Sequence, residues 1–117
     1  MKIYVVSWEA DDSADGYVRQ YFSSRRDAIY CAKQVMKDEV EDCVLDRIGY
    51  EKSADVYQLE FKKPTSAKAI AEFRNGIGVN MTEVGSVTGV VVVKETDDDW
   101  IVESAGIEWL EKNNESL

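Results

Sequence analysis

Residues 2–8 alternate around a tyrosine- and valine-rich run, and residues 17–22 form a second aromatic and β-branched segment. Between them, Asp11-Asp12-Ser13-Ala14-Asp15-Gly16 is polar and ends on Asp-Gly, which supplies the positive φ that a turn needs. This pattern predicts a β-hairpin. Ser24-Arg25-Arg26-Asp27 follows with the spacing of a capping box, Ser24 accepting from the first turn and Asp27 reaching back to a free amide. Ala28, Ile29, Cys31, Ala32, Val35 and Met36 then recur at helical spacing. They predict an amphipathic helix to about Asp38 or Glu39, lying across the sheet with Arg25, Lys33 and Lys37 on its outer face.

Residues 40–50 fit either a continued helix or a short strand ending at Gly49. In residues 55–62, Tyr57, Leu59 and Phe61 face one way and Gln58, Glu60 and Lys62 the other, as in a half-buried strand. Pro64-Thr65-Ser66 opens a second predicted helix with Ala67, Ile70, Ala71 and Phe73 as its apolar stripe and Asn75-Gly76 as its stop. Residues 81–96 and 100–104 are β-rich and centre on Val90-Val91-Val92-Val93, an interior strand, with Asp97-Asp98-Asp99 as the turn. Residues 107–112 read as a last helical turn before a polar tail at 112–117. No repeat or linker interrupts the chain, so residues 1–117 form one domain. The element order predicts an α+β fold: an antiparallel-dominated sheet of four to six strands with two helices packed on one face.

A length of 117 residues supports one core without staples. No apolar run approaches the ~20 residues of a membrane-spanning helix, and the N-terminal run is too short for a signal peptide, so a soluble cytoplasmic protein is expected. Cys31 and Cys43 stand in a chain without histidine, which argues against a disulfide scaffold and against Cys/His zinc sites; reduced thiols packed in the core are expected, and no cofactor. The net charge of −9 repels phosphates, which disfavours direct nucleic-acid binding. From residue 95 to the C-terminus eight acids (Glu95, Asp97, Asp98, Asp99, Glu103, Glu108, Glu111, Glu115) stand against Lys112 alone, so the imbalance concentrates there.

Asp11-x-Ser13-x-Asp15-Gly16-x-Val18 copies the first half of an EF-hand calcium loop, but Phe22 occupies the place of the bidentate glutamate. A solvated hairpin loop is the expectation. Adjacent carboxylates such as Asp97, Asp98 and Asp99 project in different directions and suit a solvated turn better than a metal. The absence of histidine removes Ser-His-Asp and Cys-His catalysis, and Gly76, Gly78, Gly85 and Gly89 lack the spacing of a phosphate loop. A non-enzymatic protein is therefore expected. Trp8 reads as core, while Trp100 and Trp109, surrounded by acids, fit either core positions or aromatic anchors of a contact surface. The candidate protein-binding set is Asp97, Asp98, Asp99, Trp100, Glu103, Glu108, Trp109 and Glu111. Arg25-Arg26 lies where a helix dipole disfavours cations and reads as an exposed pair near acidic partners.

In size, acidity and lack of a catalytic motif the chain resembles the small acidic anti-defence proteins of bacteriophages, anti-CRISPR and anti-restriction proteins among them, several of which mimic DNA. The resemblance implies an inhibitor or adaptor that docks its acidic face on a protein partner with a basic surface, a nucleic-acid-binding groove included, with no direct nucleic acid and no membrane. Two other classes stand beside it: a structural or homo-oligomeric component, such as a homodimer joined through an edge strand or aromatic patch, and a small enzyme using carboxylates.

Overall fold

The computed structural model describes residues 2–10, 15–61 and 79–112. In chain order they form β1 (Lys2–Glu9), β2 (Tyr17–Phe22), α1 (Arg25–Asp46), β3 (Tyr50–Phe61), β4 (Val79–Glu95) and β5 (Trp100–Glu111). The strands make one sheet in the order β2-β1-β3-β4-β5, every neighbour antiparallel. The fold is an α+β arrangement, mostly antiparallel sheet, with α1 across one face. The second predicted helix, at residues 64–76, lies outside the described residues. No described helix is long and apolar enough to cross a membrane.

The β1–β2 hairpin closes as its alternation predicts, with the Ala10 N–H donating to the Gly16 carbonyl at 2.9 Å and Gly16 at φ 83°. Ser24 Oγ caps α1 by accepting from the Asp27 N–H at 3.2 Å. Ala28, Ala32, Met36 and Val40 recur every fourth residue on α1 and are buried, the first three in one cluster with Val6, Ala54, Val56 and Val87 of the sheet. Tyr4, Trp8, Phe22 and Trp109 pack around that cluster. The layers approach closely at Gly89, where an added Cβ would lie 2.8 Å from Val40 Cγ2 and 3.5 Å from Met36 Sδ.

Three stretches differ from the sequence reading. The helix runs on past Asp38 and Glu39 to Asp46, the continued-helix alternative for residues 40–50, because buried Val40 continues the apolar stripe and Cys43 and Val44 extend it. Arg47 then adopts the left-handed region at φ 55° and its N–H bonds the Cys43 and Val44 carbonyls, which ends the helix and settles residues 40–50 as helix, cap and strand start. Residues 107–111 are strand, not a helical turn. So short a run cannot nucleate a helix alone, and β4 offers a full ladder in which Gly89 pairs with Ile107 and Val87 with Trp109. Lys112 belongs to this structure more than to a tail, since its N–H bonds the Val84 carbonyl at 2.9 Å.

The sheet is staggered. β1 meets β3 between Asp55 and Glu60, whereas β5 meets β4 between Gly85 and Glu95. The last β3–β4 pair at that end is Tyr50 with Val91, so among the described residues the end of β4 has β5 as its sole sheet neighbour. A two-stranded arm therefore projects beyond the sheet, and the molecule extends 69 × 35 × 23 Å.

Candidate protein-docking site

The tip of that arm is the turn of Thr96, Asp97, Asp98 and Asp99. The Thr96 N–H donates to the Asp99 carbonyl at 2.7 Å, and the Asp99 N–H donates back to Thr96 Oγ1 at 3.1 Å. Asp99 Oδ1 accepts from the Trp100 N–H at 2.8 Å, while Oδ2 pairs with the Arg47 guanidinium. Those two interactions, the Trp100 amide foremost, hold the Asp99 carboxyl below the usual carboxylate range. Asp99 is thus a structural member of the turn and not a free solvated acid. Asp97 and Asp98 are exposed and make no ion pair among the described residues.

The other members of the predicted set share the edge strand β5 but not one face. Trp109 is half-buried on the helix side, packed over Gly85 where a Cβ would meet its ring at 2.6 Å, so of its two readings the core one describes its environment. Glu111 faces the same side and pairs with Arg25, giving that cation the acidic partner expected of it. Glu108 stands opposite Thr88 on the other side of the sheet, and Glu103 sits at the β-bulge between Val92 and Val93; both are exposed. From Trp100 to Glu111 the strand spans on the order of 40 Å at ~3.3 Å per residue. A single contact therefore cannot use all eight residues from one direction.

The structure adds residues that the sequence reading passed over. Asp38, Asp42 and Asp46 are exposed at four-residue spacing along one ridge of α1, with no basic residue in its last turn. Like charges at that spacing oppose each other, and the C-terminal end of the helix dipole opposes Asp46, so the ridge is locally unfavourable. Arg47 joins this end of the helix to the arm, reaching the Trp100 carbonyl at 3.4 Å as well as the Asp99 carboxylate. Leu45 is 80% exposed, Trp100 46%, and Ile48 and Ile101 are also exposed. One end of the molecule thus carries apolar side chains set among Asp42, Asp46, Asp97 and Asp98. Extending the helical reading to Asp46 would have revealed the acidic ridge; nothing in the sequence announces the Arg47 link.

Elsewhere, burial and the neighbouring Glu83 carboxylate push the Asp55 carboxyl up, against a hydrogen bond from Ser53 at 3.5 Å. Burial, reinforced by Glu39, pushes the Tyr50 hydroxyl up to about 12. Cys31 and Cys43 are free and half-buried, and burial pushes both thiols up. Asp15 of the half EF-hand pattern is engaged by the Arg19 guanidinium at 2.8 Å and the Tyr17 N–H at 3.1 Å, while residues 11–14 of that pattern lie outside the described residues. Among the described residues no three His, Cys, Asp or Glu side chains gather to hold a metal ion.

Comparison with protein-family models, with curated proteins and with solved structures finds no match to this chain.

Proposed function

We propose that the chain is a non-enzymatic protein-binding inhibitor or adaptor that docks its acidic end on the basic surface of a larger protein, such as a nucleic-acid-binding groove. The observation that carries this reading is the link through Arg47, which holds exposed Leu45, Ile48 and Trp100 beside Asp46, Asp97 and Asp98. Apolar and aromatic side chains supply most of the free energy of a contact once water leaves them, while surrounding charge governs encounter and partner choice. The mode is that of the small acidic phage anti-defence proteins which the chain resembles in size and charge, and the free thiols of Cys31 and Cys43 suit a reducing cytoplasm.

The test uses the immobilised chain and lysate of the host, at low and at high salt. The parent should retain a discrete protein that elutes as salt rises. Replacing Asp97 and Asp98 by Asn together with Trp100 by Ala should weaken retention at least tenfold while the far-ultraviolet spectrum stays native, since these side chains lie outside the core. A triple variant that retains the same protein with undiminished affinity at low salt removes this end from the interface. Asp99 is excluded from the variant because its loss would disturb the turn itself.

A further inference from the structure

We infer that the sheet face opposite α1 is a self-docking surface on which a second copy of this chain packs face to face. Two adjacent cross-strand rows make this face apolar at one end. Val5 stands opposite Tyr21 on one side and Tyr57 on the other, and Leu59 stands opposite both Ile3 and Met81. Tyr21 is 63% and Met81 65% exposed, yet Val5 beneath the tyrosines is only 6% exposed, although no described helix or strand covers that face. The rows line a depression of about 330 Å³. Tyrosine and methionine beside aliphatic residues, bounded by polar groups, is the make-up of an interface core with its rim.

The rim decides the occupant. The next cross-strand row holds Arg19, Ser7 and Asp55, and Glu83 stands opposite Tyr57. Arg19 with its partner Asp15, and Glu83 with its partner Lys112, thus put both signs of charge on this rim, and a two-fold axis can bring them opposite one another so that pairs are exchanged between copies, whereas the end of the molecule with Asp42, Asp46, Asp97 and Asp98 has the bias of a surface made for a basic partner. Size agrees. The strands run from six residues in β2 to seventeen in β4, and at ~3.3 Å per residue and ~4.8 Å between strands their staggered face covers roughly 800 Å², one side of a standard interface. The helix-side core is correspondingly thin: its largest fully buried side chains are Met36, Val6, Val56 and Val87. Pairing would give a helix-sheet-sheet-helix stack with a second apolar layer between the sheets.

The experiment is sedimentation equilibrium of the full chain from about 1 μM to 1 mM, the range over which a contact of this size declares itself. The parent should move from the single-chain mass towards twice that mass. Tyr21→Glu and Met81→Glu should each shift the midpoint at least tenfold to higher concentration with native far-ultraviolet spectra, both side chains being mostly solvent-exposed. Leu45→Glu, at the acidic end, should leave dimerisation unchanged, which separates this surface from the one proposed for the larger partner. A parent that stays at the single-chain mass throughout overturns the inference, and so does a dimer that survives both face variants or dissociates with Leu45→Glu. If a different protein uses this face, the parent is monomeric and the inference fails.

Discussion

At the scale of single residues, two positions show opposite ways in which the sheet constrains chemistry. A Cβ on Gly85 would lie 2.5 Å from the Leu110 carbonyl oxygen and 2.6 Å from the Trp109 ring. The carbonyl cannot retreat without disturbing the β4–β5 ladder, nor the ring without losing its packing against the core. Gly85→Ala should therefore destabilise by about 1–3 kcal/mol, which for a domain of this length lowers the melting temperature by on the order of 10 °C, read by calorimetry. Asp55 is constrained through its proton. Burial, then Glu83, raises its folded pKa above the unfolded value, so its contribution to stability is fully present below the ordinary carboxylate range and is lost as pH rises through the folded pKa. Asp55→Asn should accordingly raise the urea midpoint at pH 7 and leave it unchanged near pH 3. A gain of equal size at both pH values would show that the carboxylate charge is not the cause.

At the scale of elements, the balance of small terms decides how Arg47 acts. A non-glycine residue in the left-handed region is disfavoured, and an exposed ion pair contributes little to global stability, so the two effects of removing Arg47 oppose each other. Arg47→Gly should therefore leave global stability nearly unchanged while freeing the arm, so that amide exchange at Thr96, Trp100 and Ile101 accelerates before any global change. Unchanged exchange there would mean that the Asp99 pairing does not hold the arm. The same scale shows what the sequence makes legible. The β1–β2 hairpin, the Ser24 cap and the two strands flanking Asp97, Asp98 and Asp99 were readable because each rests on neighbouring residues: alternation, Asp-Gly, cap spacing. The extent of α1 was not. Asp38 and Glu39 resemble a polar stop, and only burial of Val40 on the sheet overrides them. The strand at 107–111 was hidden for the same reason, since its partners Val87 and Gly89 lie some twenty residues away. Of the candidate site, the acidic turn and Trp100 were legible. The Asp38, Asp42 and Asp46 ridge required the correct helix length, and Arg47's link to Asp99 bridges fifty-two positions of chain.

At the scale of the whole molecule, charge and apolar surface are distributed unevenly. Arg25, Arg26 and Lys33 outweigh Asp27 in the first half of α1, and Asp38, Glu39, Glu41, Asp42 and Asp46 outweigh Lys37 in the second. The chain is thus polarised along the helix as well as carrying −9 overall. The basic-surfaced partner proposed above would be oriented before contact, and such steering weakens as salt shortens the screening length to about 8 Å at physiological strength. Stopped-flow association should consequently slow several-fold with rising salt while dissociation changes less; equal effects on both would place the acids inside the contact and not around it. The projecting arm adds a thermodynamic consequence. A two-stranded ribbon without a third neighbour is marginally stable and opens at lower free energy than the sheet behind it. Whatever grips Trp100 must first remove the arm's conformational entropy, and that loss is subtracted from the affinity. Stiffening the ribbon is therefore a route to tighter binding that alters no atom of the contact itself.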